Sequence, residues 1–171
     1  MLYFLLSRIE NGVNELRMEF KRAVTRTGRE IVENTENSPE KDKNMIHRLL
    51  DWKDTCTKAI NLGFFEDPTF QRAVQESFED FINRRQNRPA EYLAKYVDAL
   101  LRSNHKAQTE DEFDNIIDKV MVLFRFLDGR DVFKAFYSNH LARRLLLCKS
   151  ASIDAEKAVL SRLKHGLLFS V

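Results

Sequence analysis

Apolar residues recur at steps of three and four along almost the whole chain, and this spacing is the feature that most constrains the fold. One helical turn takes about 3.6 residues, so side chains with this spacing line one stripe of an α-helix. The N-terminal segment shows the pattern most clearly, in Leu5, Ile9, Val13, Leu16, Phe20 and Val24. The spacing therefore predicts helices that each bury one face.

Residues that interrupt secondary structure are scarce. The 171 residues include only five glycines and three prolines, and a strand-rich fold needs more turn residues than that. Thirteen phenylalanines and a hydrophobic content of 43% provide enough apolar surface to offset chain entropy. We predict an all-α fold of about seven helices, and breaks of roughly two to ten residues indicate an antiparallel helical repeat or bundle.

Local signals predict where these helices begin and end. Capping side chains and prolines predict helix starts at Ser38 and Pro39, Asp67 and Pro68, Pro89, Asp131 and Ser152. Glycines predict helix ends at Gly28, Gly63 and Gly129. The polar segment 33–40 has no apolar period and predicts a loop. The basic stretch 83–88 precedes a new helix start, so we expect a boundary that divides the chain into 1–86 and 87–171.

The last third of the chain combines an apolar helical face with an excess of positive charge. We expect the packing or interaction face to consist of Phe124, Val132, Phe133, Phe136, Tyr137, Leu141 and Leu145. From 129 to 171, eight lysines and arginines stand against three acids, including Arg143, Arg144, Lys149 and Lys164. This composition favours a solvated or protein-facing basic patch.

A nucleic-acid groove is the alternative interpretation of the same charges. It would use Arg143, Arg144, Lys149, Arg162 and Lys164. However, no aromatic residue is clearly placed beside these cations to stack on bases, so nucleic acid is the less favoured partner. The acids at 110–118 provide an intramolecular counter-surface for the cations.

The residue pattern contains no sign of an active site. Four histidines and two cysteines are scattered without the spacing of a metal site or a nucleophile–base pair. We therefore predict no catalytic, cofactor-binding or metal-ligating residue and no enzymatic activity. The apolar runs are too short to cross a bilayer, so we expect no membrane association. Cysteines without disulfide spacing indicate a reducing compartment, and we expect the nucleus and cytoplasm.

Three stretches of the chain resemble cullins, the elongated scaffolds of multisubunit RING-type ubiquitin ligases. They are PEKDKNMIHRLLDWKD (39–54), ESFEDFINRRQNRPAEYLAKYVDALLR (76–102) and LFRFLDGRDVFKAFYSNHLARRLLLCKSASIDAEKAVLSRLKH (123–165). The likeness extends over most of the chain and is strongest to the type-four branch. We identify the sequence as that of a cullin family member.

The resemblance implies a function and a place within the family fold. Residues 1–86 are similar to the C-terminal part of the last cullin repeat, and 87–171 are similar to the start of the four-helix bundle. The chain would then be a rigid, non-catalytic scaffold segment of a cullin-RING ligase, with protein partners from that complex. An autonomous helical module that binds nucleic acid or an acidic protein is the alternative.

The resemblance also sets limits on what the chain is expected to contain. The adaptor-binding and RING-subunit-binding regions of the family would lie outside this chain, and so would the lysine that accepts the ubiquitin-like modifier. No neddylation site is expected among the lysines here. After His165 the tail 166–171 departs from the family pattern, so we expect a fragment, a splice product or a partial gene.

Thr109 and Glu112 have the spacing of a capping box, in which two side chains satisfy two otherwise unpaired backbone N–H groups. We predict that Thr109→Ala lowers the free energy of unfolding by about 1 kcal/mol, because the helix loses its N-terminal cap. Urea denaturation followed by circular dichroism measures this change. An unchanged denaturation midpoint would contradict the prediction.

Overall fold

The computed structural model describes residues 2–33, 39–102 and 109–168. These ranges form eight α-helices and no strand, which confirms the all-α prediction with one helix more than expected. The helices are α1 (Leu2–Leu6), α2 (Gly12–Val32), α3 (Pro39–Gly63), α4 (Pro68–Ile82), α5 (Arg88–Leu101), α6 (Glu110–Phe126), α7 (Arg130–Leu146) and α8 (Ile153–Leu168). The Ser38 cap, most of the predicted 33–40 loop and His105 lie outside the described residues.

The chain divides into two compact units, Met1–Arg85 and Gln86–Val171. The first unit contains α1 to α4, and α2 packs against both α3 and α4. The second contains α5 to α8, where α5 packs against α7 and α6 packs against α8. The assignment of these parts to a final repeat and a four-helix bundle stays a prediction.

The N-terminal stripe is interrupted, and the prediction of one continuous helix there is wrong. Helix α1 ends at Leu6 and α2 begins at Gly12, after Asn11 adopts a left-handed conformation with φ of 62°. A Cβ atom on Gly12 would collide with the carbonyl oxygen of Leu6, so only glycine fits the reversal. As a result Leu5 and Ile9, which the period places on the buried face, are exposed.

Gly28 lies at a helix–helix contact and does not end its helix. Helix α2 continues to Val32, and Gly28 is buried against the ring of Phe81 on α4. The absence of a side chain at Gly28 lets the two helices approach closely, with Val24 and Phe78 buried in the same unit. The prediction of a helix end at Gly28 is therefore wrong, whereas the predicted end at Gly63 is confirmed.

Three of the predicted caps are confirmed by their hydrogen bonds. The carboxylate of Asp67 accepts from the backbone N–H of Thr69 at 2.8 Å, and Thr109 forms the predicted capping box with Glu112. The hydroxyl of Ser152 accepts from the N–H of Asp154 at 3.2 Å. The prediction that Asp131 caps α7 is wrong, because α7 begins at Arg130 and Asp131 lies inside its first turn. A carboxylate in this position still complements the helix dipole.

Gly28→Ala should lower the free energy of unfolding by about 1–3 kcal/mol, because the added methyl group would overlap the ring of Phe81. Gly63→Ala is the matched control, since in the described part of the chain a Cβ atom built there meets no atom within 4 Å other than its own neighbouring helix backbone. The control should leave stability unchanged or raise it by up to about 1 kcal/mol. Urea denaturation compares the two, and equal effects would show that close packing at Gly28 is not required.

Candidate functional site around a buried arginine

A buried arginine joins three helices of the second unit. Arg144 lies in the last turn of α7, and its side chain is only 1% exposed. Its Nη1 donates to Asp98 of α5 at 2.5 Å. Its Nε and Nη2 donate to the two carboxylate oxygens of Glu156 on α8 at 2.8 and 2.9 Å. The prediction that Arg144 belongs to a surface patch is therefore wrong.

The two carboxylates also accept hydrogen bonds from other side chains. Arg102 donates to Oδ2 of Asp98 through Nε at 2.9 Å and Nη2 at 2.6 Å. The hydroxyl of Ser150 donates to Glu156 at 2.8 Å. We call these five residues the Arg144 cluster. Because charge-assisted hydrogen bonds to both acids offset the desolvation of the ions, the cluster is stable in its buried setting.

Charges in the cluster fix the ionisation states of its members. Burial alone would raise the pKa of Asp98, but hydrogen bonds from Arg144 and Arg102 outweigh burial and lower that pKa. Burial would lower the pKa of Arg144, yet its hydrogen bonds to Glu156 and Asp98 raise it. Burial, reinforced by the charge of Glu156, raises the pKa of the neighbouring Tyr137 phenol to about 12. Asp98 and Arg144 are thus charged and Tyr137 is neutral at neutral pH.

His140 lies at the edge of the Arg144 cluster. Its Nδ1 is 3.6 Å from Oδ2 of Asp98, and its buried Nε2 has no hydrogen-bond partner within the described ranges. Burial lowers the pKa of His140, and the positive charges of Arg144, Arg102 and Lys95 lower it further. Asp98 acts in the opposite direction without outweighing these effects. The imidazole is therefore favoured in its neutral form.

The cluster anchors the turn between α7 and α8. The N–H of Lys149 donates to the carbonyl of Arg144 at 2.9 Å, and the N–H of Ala151 donates to the carbonyl of Leu101 at 2.9 Å. Between these two bonds Cys148 adopts a left-handed conformation with φ of 50°. A non-glycine residue held in this region costs free energy, so the surrounding contacts must impose the shape of the turn.

The anchored turn presents apolar side chains to solvent. Leu145, Leu146, Leu147 and Ile153 are 49%, 83%, 60% and 66% exposed, and together we call them the leucine turn. The inward placement predicted for Leu145 is wrong. The buried positions of α7 follow steps of four and seven residues from Phe133 through Tyr137 to Arg144, and Leu145 lies about 100° from that stripe.

The other apolar residues predicted for this region are buried or half-buried. Phe124, Phe133 and Tyr137 are buried, whereas Val132, Phe136 and Leu141 are half-buried. The rings of Phe124 and Phe133 pack with centroids 4.9 Å apart. Phe124, Phe133 and Tyr137 thus belong to the core, whereas the part of the whole set in packing or in binding a partner stays a prediction.

The basic residues do not share one environment. Arg143, Lys149 and Lys164 are exposed, whereas Arg144 is buried. Arg162 pairs with both Asp114 and Asp118 of α6 at 3.0 Å, as the acidic counter-surface predicts. Two of the five cations in the nucleic-acid alternative, Arg144 and Arg162, are therefore held by acids of the same chain, and the alternative itself stays a prediction.

The acidic, histidine and cysteine side chains of the described residues form no metal-binding group, and one of the two cysteines, Cys56, is buried. In the ranges 2–33, 39–102 and 109–168, no group of three or more His, Cys, Asp or Glu side chains is placed to hold a metal ion. Burial raises the pKa of the Cys56 thiol to about 11, so it is protonated at neutral pH. Among the same residues, no helix combines the length and apolar character needed to cross a bilayer.

The described helices and the exposed leucine turn define an all-α protein fold. A family model described as the cullin alpha solenoid domain matches residues 1–169. Cullin-4A of Mus musculus and Cullin-4A of Homo sapiens are each 47% identical to the chain over 164 residues, which is 96% of this chain and 21% of either relative. Cullin-3A of Arabidopsis thaliana is 40% identical over 166 residues, which is 95% of this chain and 22% of that relative.

The chain belongs to the cullin family, which confirms the resemblance seen in the sequence. It spans about a fifth of the length of the curated relatives that it matches. The Arg144 cluster and the leucine turn both lie within the matched residues.

Arg144→Met should lower the free energy of unfolding by about 3–5 kcal/mol, because the substitution leaves Asp98 and Glu156 buried without their cation. Arg143→Met removes the same charge from an exposed neighbouring position and should change stability by no more than about 0.5 kcal/mol. Urea denaturation at neutral pH separates the two variants. Similar losses in both would mean that the buried ion pairs do not hold this part of the fold.

His140 should make stability depend on pH below neutrality. Its pKa in the folded chain lies below the ordinary value of 6.5, so between these values the unfolded chain binds a proton that the folded chain excludes. Stability should therefore decrease as pH falls below about 6.5. Urea midpoints measured at successive pH values should show a shallower decrease for His140→Gln.

The matched control for this pH dependence is His47→Gln. His47 is an exposed histidine 3.5 Å from Asp51, and its replacement should leave the decrease below pH 6.5 in place. If His140→Gln and the unsubstituted chain show the same slope, the neutral imidazole beside Asp98 does not carry the effect.

Proposed function

We propose that this chain forms a rigid, non-catalytic scaffold segment of a cullin-RING ubiquitin ligase and thereby supports ubiquitin-dependent protein degradation. The observation that carries the proposal is the match of residues 1–169 to the cullin alpha solenoid domain, together with 47% identity to Cullin-4A. Cullins are scaffold subunits of these ligases and are not catalysts themselves.

Rigidity within each unit is the physical basis of the proposed role. Buried aromatic and aliphatic side chains line the helices, and each such side chain contributes roughly 1.5–3 kcal/mol when it leaves water. Gly28 and Phe81 fix close packing in the first unit, and the Arg144 cluster fixes three helices in the second. A stiff support increases the rate of a reaction between bound partners by holding them close together, without a reacting group of its own.

The partners of this segment, in the proposal, are proteins of the ubiquitin and ubiquitin-like modifier conjugation pathway. The leucine turn supports a protein partner, because its four large apolar side chains are exposed and exposed apolar surface commonly marks protein-binding sites. Arg143 and Lys149 flank the turn and favour a partner surface that carries acidic groups. The compartments in the proposal are the nucleus and the cytoplasm.

A chimeric ligase tests the proposal directly. Residues 1–169 would replace the matching segment of Mus musculus Cullin-4A, and the purified chimera would be assembled with its ligase partners. We expect assembly and ubiquitin transfer comparable to those of the unmodified ligase, because the segment contributes support and no reacting group. Pull-down measures assembly, and a substrate-ubiquitination time course measures transfer.

Two substitutions serve as controls in the same chimera. Arg144→Met should reduce both assembly and transfer because it disrupts the buried ion pairs, whereas Arg143→Met should leave both unchanged. Cys148→Ser should also leave transfer unchanged, since no covalent step at this exposed thiol is proposed. A chimera that folds but does not assemble, or one whose transfer requires Cys148, would refute the proposal.

A further inference from the structure

A cationic cleft in the first unit is separate from the Arg144 cluster. It has a volume of about 800 Å³ and lies between α2 and α3. Its basic side chains are Lys21, Arg22, Arg26, Arg29, Lys41 and Arg48. Glu30 and Glu33 are its two acids, so positive charges exceed negative ones by four. We call this feature the α2–α3 cleft.

The spacing of the α2 residues explains why one face of the helix is basic. Lys21, Arg22, Arg26 and Arg29 follow one another at steps of one, four and three residues, so these cations lie on a common face of α2. With a rise of about 1.5 Å per residue, Lys21 and Arg29 are separated by roughly 12 Å along the helix. The positive charge of this helix face therefore extends over a distance that a single phosphate group cannot span. A ligand with several phosphate groups can reach more of these cations.

Some cations in the cleft are neutralised by the chain itself, and others are not. Lys21 pairs with Glu76 at 2.5 Å, Arg29 pairs with Asp80 at 2.9 Å, and Arg22 pairs with Glu19 on its own helix. In contrast, neither Arg26 nor Arg48 has an ion-pair partner within the described parts of the chain. The Nε of Arg29 is buried and donates to no acceptor in those parts. The cleft thus retains hydrogen-bond donors and positive charge that an anionic ligand can use.

We infer that the α2–α3 cleft binds a small polyphosphorylated molecule. Its volume lies within the range of roughly 300–1,000 Å³ that is typical of small-ligand sites. Four of its six cations are arginines, whose planar guanidinium groups bind phosphate oxygens through paired hydrogen bonds. A ligand with several phosphates would also relieve the repulsion between like charges on α2 and α3.

Isothermal titration calorimetry of the 171-residue chain with sodium tripolyphosphate tests the inference. Inorganic phosphate, which has a single phosphate group, is the reference ligand. We expect one-to-one binding of tripolyphosphate that is at least about tenfold tighter than that of phosphate and that weakens as salt is raised. Titration with ATP in the absence of magnesium distinguishes a nucleotide ligand from a ligand that is recognised only by its phosphate groups. Equal affinities indicate recognition of the phosphates alone, and tighter ATP binding indicates a nucleotide ligand.

Two double variants with equal loss of charge complete the experiment. Arg26→Gln with Arg48→Gln removes two exposed cations of the cleft and should weaken tripolyphosphate binding about tenfold or more. Arg125→Gln with Arg143→Gln removes two exposed cations of the second unit and should leave binding unchanged. Circular dichroism melts confirm that both variants fold.

Three outcomes would overturn the inference. They are the absence of tripolyphosphate binding, equal affinity for phosphate and tripolyphosphate, and equal weakening in the two double variants. Binding of a single-stranded RNA oligomer that depends on Arg26 and Arg48, without binding of tripolyphosphate, would also overturn it in favour of a nucleic-acid ligand.

Discussion

The second unit depends on one buried charge, the guanidinium of Arg144. Moving an ion out of water costs several kcal/mol, and the two carboxylates that bind Arg144 carry similar costs. Well-packed apolar side chains in the same place would give comparable or greater stability. The ion pairs contribute more to the specificity of helix packing than to stability. They form only when Asp98 of α5 and Glu156 of α8 both contact Arg144 in the last turn of α7. A shift of one residue in any of the three helices would leave a buried charge without its partner.

The first unit reaches a defined arrangement by shape. The ring of Phe81 occupies the space left by the missing side chain of Gly28, so α2 and α4 approach each other closely at this position. Phe64 and Phe70 stack with their ring centroids 4.1 Å apart, and the ring of Phe20 packs against both. Such interlocking of rigid side chains selects one packing among many of similar apolar area. Steric fit in one unit and charge pairing in the other therefore serve the same purpose.

The sequence predicts this structure best where the physics is local. The capping box at Thr109 and the Asp67 cap involve atoms within three residues, and the confirmed helix faces follow from the helical period. The predictions for Arg144 and Gly28 are wrong because the residue that decides the outcome is distant in the sequence. Asp98 lies 46 residues before Arg144, and Phe81 lies on a different helix from Gly28, so neither partner is apparent from the neighbouring sequence. One signal was available for Arg144, which continues the stripe of Phe133 and Tyr137, but an arginine in that position is ordinarily assigned to the surface.

The ionisation states of the Arg144 cluster agree with a supporting role. A general acid or base works best when its pKa lies near the working pH, and active sites shift pKa values toward it. Here the pKa of Asp98 is lowered, that of Arg144 is raised and that of Tyr137 reaches about 12, so all three move away from neutrality. His140 is also shifted down, which keeps it neutral at pH 7. Asp98 and Arg144 therefore keep fixed charges, and Tyr137 and His140 stay neutral, which suits a structural role better than proton transfer.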